Sequence, residues 1–303
     1  MGSKDEISEL NLELAKKALL AAKRYADNAM GWPCSIAVLG KAGGVIAVHR
    51  MDGAGPATLD IAIEKAWTSV VFVAPTLLLG RMTDPRTAMM PLEQLPLGHH
   101  GMGLAHKMKG KLTTIMGGIP IRDKDMGVIG GIGTSGTPSA NDDNKVSQAG
   151  WSAMYDQEDV DYSDDVPSPR LAWSLKVMKL AEKKAKQIKA KASIAISDEN
   201  GFLIALHRLD NASFPTADIA RDKAWTAAAY EMPSEQIHAY GDKKLPGFGI
   251  STTNYNERSS PIPGGVPIKN KNRVIGAIGI SSANPLKDRQ VALAVAKEAL
   301  KIS

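Results

Sequence analysis

Apolar residues recur at three- and four-residue spacing over Leu10–Ala29 and again over Leu171–Lys189, the period of an amphipathic helix. Each stretch is followed by two short runs rich in Val, Ile, Leu and Ala. In the first case these are Ser35–Leu39 and Val45–His49, split by Gly40-Lys41-Ala42-Gly43, and the later pair is split by Asp198-Glu199-Asn200-Gly201. Both splits have the composition of hairpin turns. Past the Asp52-Gly53 and Asp210-Asn211 turns a helix is predicted, with Thr58 or Thr216 near its start. Asp60 or Asp218 then lies in the first turn, where negative charge suits the helix dipole. A Gly-Gly-x-Pro run opens a second hairpin, turned over Arg122–Gly127 or Lys269–Arg273, and a last helix follows Ser139 or Pro285. Such short turns leave no room for parallel crossovers. The pattern therefore predicts an α+β fold of two repeated units, each a four- to five-stranded antiparallel sheet flanked by helices.

The repetition is literal. A shift of 158 residues aligns Ser35–Thr68 with Ser193–Thr226 without a gap, and 18 of the 34 positions are identical. Gly101-Met102-Gly103 then matches Gly247-Phe248-Gly249, Gly117–Ile121 matches Gly264–Ile268, and Val128–Gly133 matches Val274–Gly279. The shift has fallen to 146 by Gly101, which places about 12 extra residues of the first half within Leu77–Gly98. Between the halves, Trp151–Pro169 contains six acids and no Lys or Arg, the composition of a solvated linker. The expected organisation is a first unit over 1–150, an acidic linker over 151–169 and a second unit over 170–303.

Composition narrows the partners. The chain has 303 residues, 44% of them hydrophobic and 5% aromatic, enough for two modest cores built on aliphatic side chains. Its net charge of +5 comes from lysines that stand among comparable numbers of acids, so no nucleic-acid partner is expected. One cysteine, Cys34, excludes an intrachain disulfide and suits a reducing compartment. The start lacks the apolar core of a signal peptide and no run is long enough to span a membrane, so a cytoplasmic protein without a membrane partner is expected.

Four ordered motifs carry a resemblance. Ala-Val-His-Arg-Met-Asp-Gly-Ala, Ile-Ala-x-x-Lys-Ala-Trp-Thr, Gly-Gly-Ile-Pro-Ile and Val-Ile-Gly-Gly-Ile-Gly-Thr-Ser-Gly resemble the haem-degrading, HbpS/GlcG-like family, over nearly all of both halves. The resemblance implies a profilin- or PAS-like unit that forms dimers and larger assemblies. Its members include haem- and iron-binding sensors, proteins encoded beside glycolate oxidation, and enzymes that tautomerise or dehalogenate muconate-type acids. The family thus implies the fold more narrowly than the chemistry. This chain departs from the single-unit pattern in being a tandem, in its insertion, and in having Gly40-Lys41 where the second half has Asp198. Fusion suggests two halves that pack as a built-in dimer, within a homo-oligomer.

Several residues suit chemistry, and each has a structural alternative. His49-Arg50 and His207-Arg208 end strands, where alternation sends one of each pair to the packed face and the other to the opposite side. Arg50 or Arg208 there suits a bidentate clamp on a carboxylate and His49 a second contact, or the arginine fixes the turn through Asp52 or Asp60. Lys65 and Lys223, beside Trp67-Thr68 and Trp225-Thr226, offer an anion contact or a base, with Thr68 adding a hydroxyl; alternatively the lysine stem is buried and its head lies in water. Gly117-Gly118 and Gly264-Gly265 offer either free amides for an anion or a tight strand entry. Met89 to Met108 contains His99, His100 and His106, and its second-half counterpart has no histidine in Leu245–Gly249. This segment suits acid/base chemistry, haem ligation or a plain surface loop, whereas the His spacing matches no strong metal pattern. In the second half Tyr255, Asn254 and Arg258 occupy the matching loop.

The leading expectation is a cofactor-independent enzyme of small-molecule catabolism. It acts on an unsaturated or hydroxylated carboxylate by proton transfer of the tautomerase or lyase type. Arg50 and the Gly117-Gly118 amides hold the acid, His99 or His100 moves the proton, and Lys65 supports it. The alternative is a haem- or iron-binding protein without turnover, and a third option is a scaffold.

Overall fold

A computed structural model describes residues 7, 9–83, 111–155, 169–241 and 258–302. The chain divides into two compact units, Met1–Asp165 and Val166–Ser303. The first begins with helix α1 (Leu12–Tyr25), whose N-terminus is capped by Asn11 accepting from the Leu14 amide at 2.9 Å. A π turn over Ala26–Met30 continues it. Strands β1 (Ser35–Gly40) and β2 (Val45–Arg50) form the expected hairpin, followed by helices α2 (Ala57–Val71) and α3 (Thr76–Thr83). Strands β3 (Gly118–Arg122) and β4 (Val128–Ser135) and helix α4 (Ala140–Tyr155) complete the unit. The second unit repeats the plan with α5 (Pro169–Gln187), β5 (Ser193–Ser197), β6 (Leu203–Arg208), α6 (Pro215–Ala229), a 3-10 turn over Ser234–Gly241, β7 (Gly265–Asn270), β8 (Arg273–Ser281) and α7 (Pro285–Ala299).

Each unit has a four-stranded antiparallel sheet, in the order β3-β4-β1-β2 and β7-β8-β5-β6. Helix α3 was not anticipated, because it opens the segment that the repeat alignment reads only as inserted. Helix α4 runs to Tyr155, so Trp151–Tyr155, read from sequence as the start of the linker, are helical.

Helices cover both faces of each sheet, and this explains why β1 and β2 are buried at nearly every position. On one face of the first sheet lies α2, close enough that glycines are obligatory. A Cβ on Gly133 would stand 2.2 Å from the Ala62 carbonyl oxygen, and one on Gly131 2.6 Å from Ser69 Oγ. The intervening Ile132 points to the other face, where a Cβ on Gly150 of α4 would meet its Cδ1 at 2.7 Å. Gly279 repeats the arrangement against Ala220 of α6. The duplicated tryptophans also gain a role, since Trp67 and Trp225 lie on the hairpin turns at Gly43 (φ 74°) and Gly201 (φ 82°), whose hypothetical Cβ atoms would sit 2.7 and 2.8 Å from the indole Cδ1.

Burial sets the helices in register. Leu12, Ala15, Ala22 and Lys23 are buried in α1, as are Leu171, Ser174, Ala181 and Glu182 in α5, a shift of 159. The strands that follow are shifted by 158. The extra residue of the first unit is taken up by the π turn. Replacing Gly133 by Ala is expected to cost about 1–3 kcal/mol by pushing α2 off the sheet. Gly55→Ala, whose nearest neighbour would be Thr58 Cγ2 at 3.8 Å, should leave the thermal melting temperature close to wild type.

Candidate functional site

The repeated lysines do not reach water. Lys65 is 1% exposed on α2, with Nζ 2.7 Å from Asp143 Oδ2 in the first turn of α4. The Thr137 amide and hydroxyl donate to Asp143 Oδ1 at 3.0 and 2.8 Å. The second unit repeats the pair. Lys223 Nζ donates to Asp288 Oδ2 at 3.1 Å and to the Ile280 carbonyl at 2.8 Å, and Ser282 donates to Asp288 through its amide and hydroxyl. Burial pulls the pKa of both lysines down, and the partner carboxylate opposes that shift. The snorkelling alternative for these lysines is therefore corrected: stem and ammonium are both inside.

Neither aspartate was singled out from sequence. The repeat alignment stops at Gly133 and Gly279 because the first half then carries one extra residue, Gly136, which lowers the shift to 145. Continued past that point, Thr137 aligns with Ser282 and Asp143 with Asp288.

The glycine pairs lie against the same pair. Gly117 has φ 121°, and a Cβ there would meet the Thr134 carbonyl oxygen at 2.7 Å and Lys65 Cδ at 3.2 Å. Its carbonyl accepts from the Thr134 amide and Ser147 Oγ. A Cβ on Gly118 would stand 2.2 Å from the Lys65 carbonyl oxygen, and the Gly118 amide donates to Thr76 Oγ1 at 2.9 Å. In the second unit Gly264 has φ 125° and the Gly265 amide donates to Ser234 Oγ at 2.9 Å. The reading of these pairs as open anion nests is corrected accordingly. The second amide of each is taken by a hydroxyl, and the glycines serve a tight strand entry.

Thr68 is likewise engaged, accepting from the Thr113 amide at 3.1 Å, while Thr226 accepts from the Ser260 amide at 2.9 Å. Arg50 donates to the Ala54 carbonyl at 3.2 Å and Arg208 to that of Ala212 at 2.9 Å, so each holds the turn after its strand through a backbone carbonyl. Alternation places His49 and Arg50 on opposite faces, yet both are buried, because each face carries helices.

The two units differ beneath that histidine. His207 Nδ1 lies 2.6 Å from Glu182 Oε1, both buried. At the position equivalent to Glu182 the first unit has Lys23, 1% exposed, its pKa brought down from 10.5 to about 8 by burial and by Arg24. Burial pushes the Cys34 thiol up to about 12, and its Sγ contacts Met51 Sδ at 3.8 Å. The carboxyl of Asp222, half-buried on α6, is raised to about 6 by burial. Among the described residues there is no group of three or more His, Cys, Asp or Glu that would hold a metal ion, and no helix long and apolar enough to cross a membrane. His99, His100, His106, Asn254 and Tyr255 lie outside the described residues.

Similarity to known proteins follows the same division. A family model described as haem degrading protein, HbpS-like, matches residues 10–152 and again 170–297. An uncharacterised 15.0 kDa protein of the dhaT-dhaS intergenic region of Citrobacter freundii is 29% identical over 133 residues, 43% of this chain and 91% of the relative. Protein GlcG of Escherichia coli is 32% identical over 89 residues, 29% of this chain and 63% of its own length. The crystal structure of Klebsiella pneumoniae protein ORFY is similar at 25% identity and a TM-score of 0.43, covering 48% of this chain and 100% of that one.

Two measurements test the buried charges. Asp143→Ala is expected to lower stability by about 3–5 kcal/mol in urea unfolding, because it leaves an ammonium buried without its partner. The double replacement Lys65→Met with Asp143→Leu should cost less than that single change. For Lys23 the folded pKa of about 8 lies below the ordinary 10.5, so the unfolded chain holds more protons between those values. Its contribution therefore rises as pH increases through that window, by at most about 3 kcal/mol, and Lys23→Met should flatten this slope in unfolding curves taken from pH 7 to 10.

Proposed function

The chain belongs to the haem-degrading HbpS-like family, as a tandem of two family units, and on that premise we propose that it is a haem-binding protein whose ligands come from the first unit. The observation that carries this reading is the family match over both halves. The donor chemistry fits it. His49 and His207 are buried at strand ends, and His207 is tied to Glu182. His99, His100 and His106, interspersed with Met89, Met90, Met102 and Met108, offer the imidazole nitrogens and thioether sulfurs that haem iron accepts. Bound haem would supply an iron centre open to small ligands or to electron transfer. The protein's part would be to present a histidine or methionine donor to that iron.

The acid-processing alternative asks for groups that already have other work. Lys65 is paired with Asp143, the Gly118 amide with Thr76, Thr68 with Thr113, and Arg50 with the Ala54 carbonyl. A carboxylate would have to displace these contacts, so proton transfer on a small acid is the weaker reading.

Haemin added to the full-length protein is expected to give a saturable Soret shift at about one haem per chain. Joint replacement of His99, His100 and His106 by Ala should abolish it while leaving the thermal melt intact. A wild-type protein that gives no Soret change, but whose melting temperature rises with a muconate-like or hydroxy acid, would overturn haem binding and restore the acid reading.

A further inference from the structure

The lysines are not interspersed with acids everywhere. Residues 169–191 carry eight basic side chains and one acid, Glu182, a net of +7 against +5 for the whole chain. That acid is buried against His207. On α5, Lys176, Lys179, Lys183 and Lys186 are all exposed, and at 100° per residue they fall within an arc of about 80°. Beside α5 packs α7, joined to it by Lys184 and Glu298 at 2.7 Å and by Trp173 Nε1 donating to the Ala299 carbonyl. Leu286, Leu293 and Leu300 follow one another at seven-residue spacing along α7 and its C-cap, 74%, 36% and 49% exposed, with Lys287, Lys297 and Lys301 next to them.

The first unit acts as an internal control. The same fold has Asn141 and Gln148 where α7 has Leu286 and Leu293, and Tyr155, whose hydroxyl donates to the Arg122 carbonyl, where it has Leu300. Against the lysine row it keeps Lys17 for Lys176 and Arg24 for Lys183, but has a buried Leu20 for Lys179 and Asp27 for Lys186. The unit can thus be built without the three leucines and without half of the lysine row.

We propose that the α5–α7 face of the second unit docks on an anionic lipid surface. Phosphate headgroups complement the lysine row, and the leucines enter the interfacial layer beneath them. A nucleic acid would satisfy the lysines but leave the three leucines in water, and a second copy of this face would bring like charges together. The mode is peripheral, resting on surface charge and shallow apolar contact, and is independent of haem.

The test is co-sedimentation of the full-length protein with vesicles of phosphatidylcholine containing about one third phosphatidylglycerol, against phosphatidylcholine alone. The protein should follow the anionic vesicles only, and be released as salt rises from about 0.05 to about 0.5 M. Joint replacement of Lys176, Lys179, Lys183 and Lys186 by Gln should weaken partitioning at least about a hundredfold. Leu286→Ser with Leu293→Ser and Leu300→Ser should weaken it about tenfold; Leu286→Ser alone, at the most exposed position, should do so by a smaller factor without touching the core. Failure of wild type to sediment with anionic vesicles would overturn the proposal. So would equal retention of duplex DNA with vesicle binding indifferent to the leucine changes, which would mark the face as a nucleic-acid surface.

Discussion

An ammonium and a carboxylate taken out of water together set the terms for each unit. Removing two charges from solvent costs several kcal/mol per ion, and their attraction repays it only when geometry and hydrogen bonds are complete. Asp143 meets this condition with two donors from Thr137 besides Lys65, and Asp288 with two from Ser282 besides Lys223. To bring the helix bearing the lysine to the helix bearing the aspartate, the strand between them must lie flat against helix backbone. Gly117 and Gly118 in one unit, Gly264 and Gly265 in the other, allow that approach. The hydroxyls of Thr76 and Ser234 then satisfy the amide this exposes. The motifs that identify the family are thus largely parts of one buried polar joint.

Two copies in one chain separate what the fold requires from what each unit has added. Held in common are the Lys–Asp joint, the glycines under α2 and α6, and the tryptophan on the hairpin turn. Around this frame the units diverge in charge: Lys23 against Glu182 under the strand-end histidine, a mixed α1 against a lysine-lined α5, polar Asn141 and Gln148 against Leu286 and Leu293. The first unit alone adds the histidine- and methionine-rich segment.

Most of the architecture was readable because the repeat made each element appear twice, with turns at equivalent places. Two-sided burial was present in the sequence too, in the unbroken apolar run Ile36–Leu39, but the hairpin reading assigned only one packed face. The site was less legible. Lysine beside tryptophan on a helix does not disclose its partner, and Asp143 stood 78 residues away behind a one-residue insertion. The glycine pairs read equally as anion nests or as tight strand entries, because sequence shows which amides exist and not which hydroxyls reach them. Helix α3 was hidden because its start, Thr76, matches Ser234 at the shift of 158 while the residues after it were read only as an insertion, and the second unit makes a 3-10 turn there instead.

The π turn at Ala26–Met30 has a historical consequence. A residue inserted into a straight helix rotates everything beyond it by 100°, which would have turned the buried stripe of α1 away from its sheet. Widening one turn instead confined the change to the helix end, so the buried positions of α1 still match those of α5 except at Leu20, whose counterpart is the exposed Lys179. Length differences between the copies, at this turn and at Gly136, fall at the ends of elements, where an ancestral duplication was free to drift without unfolding either half.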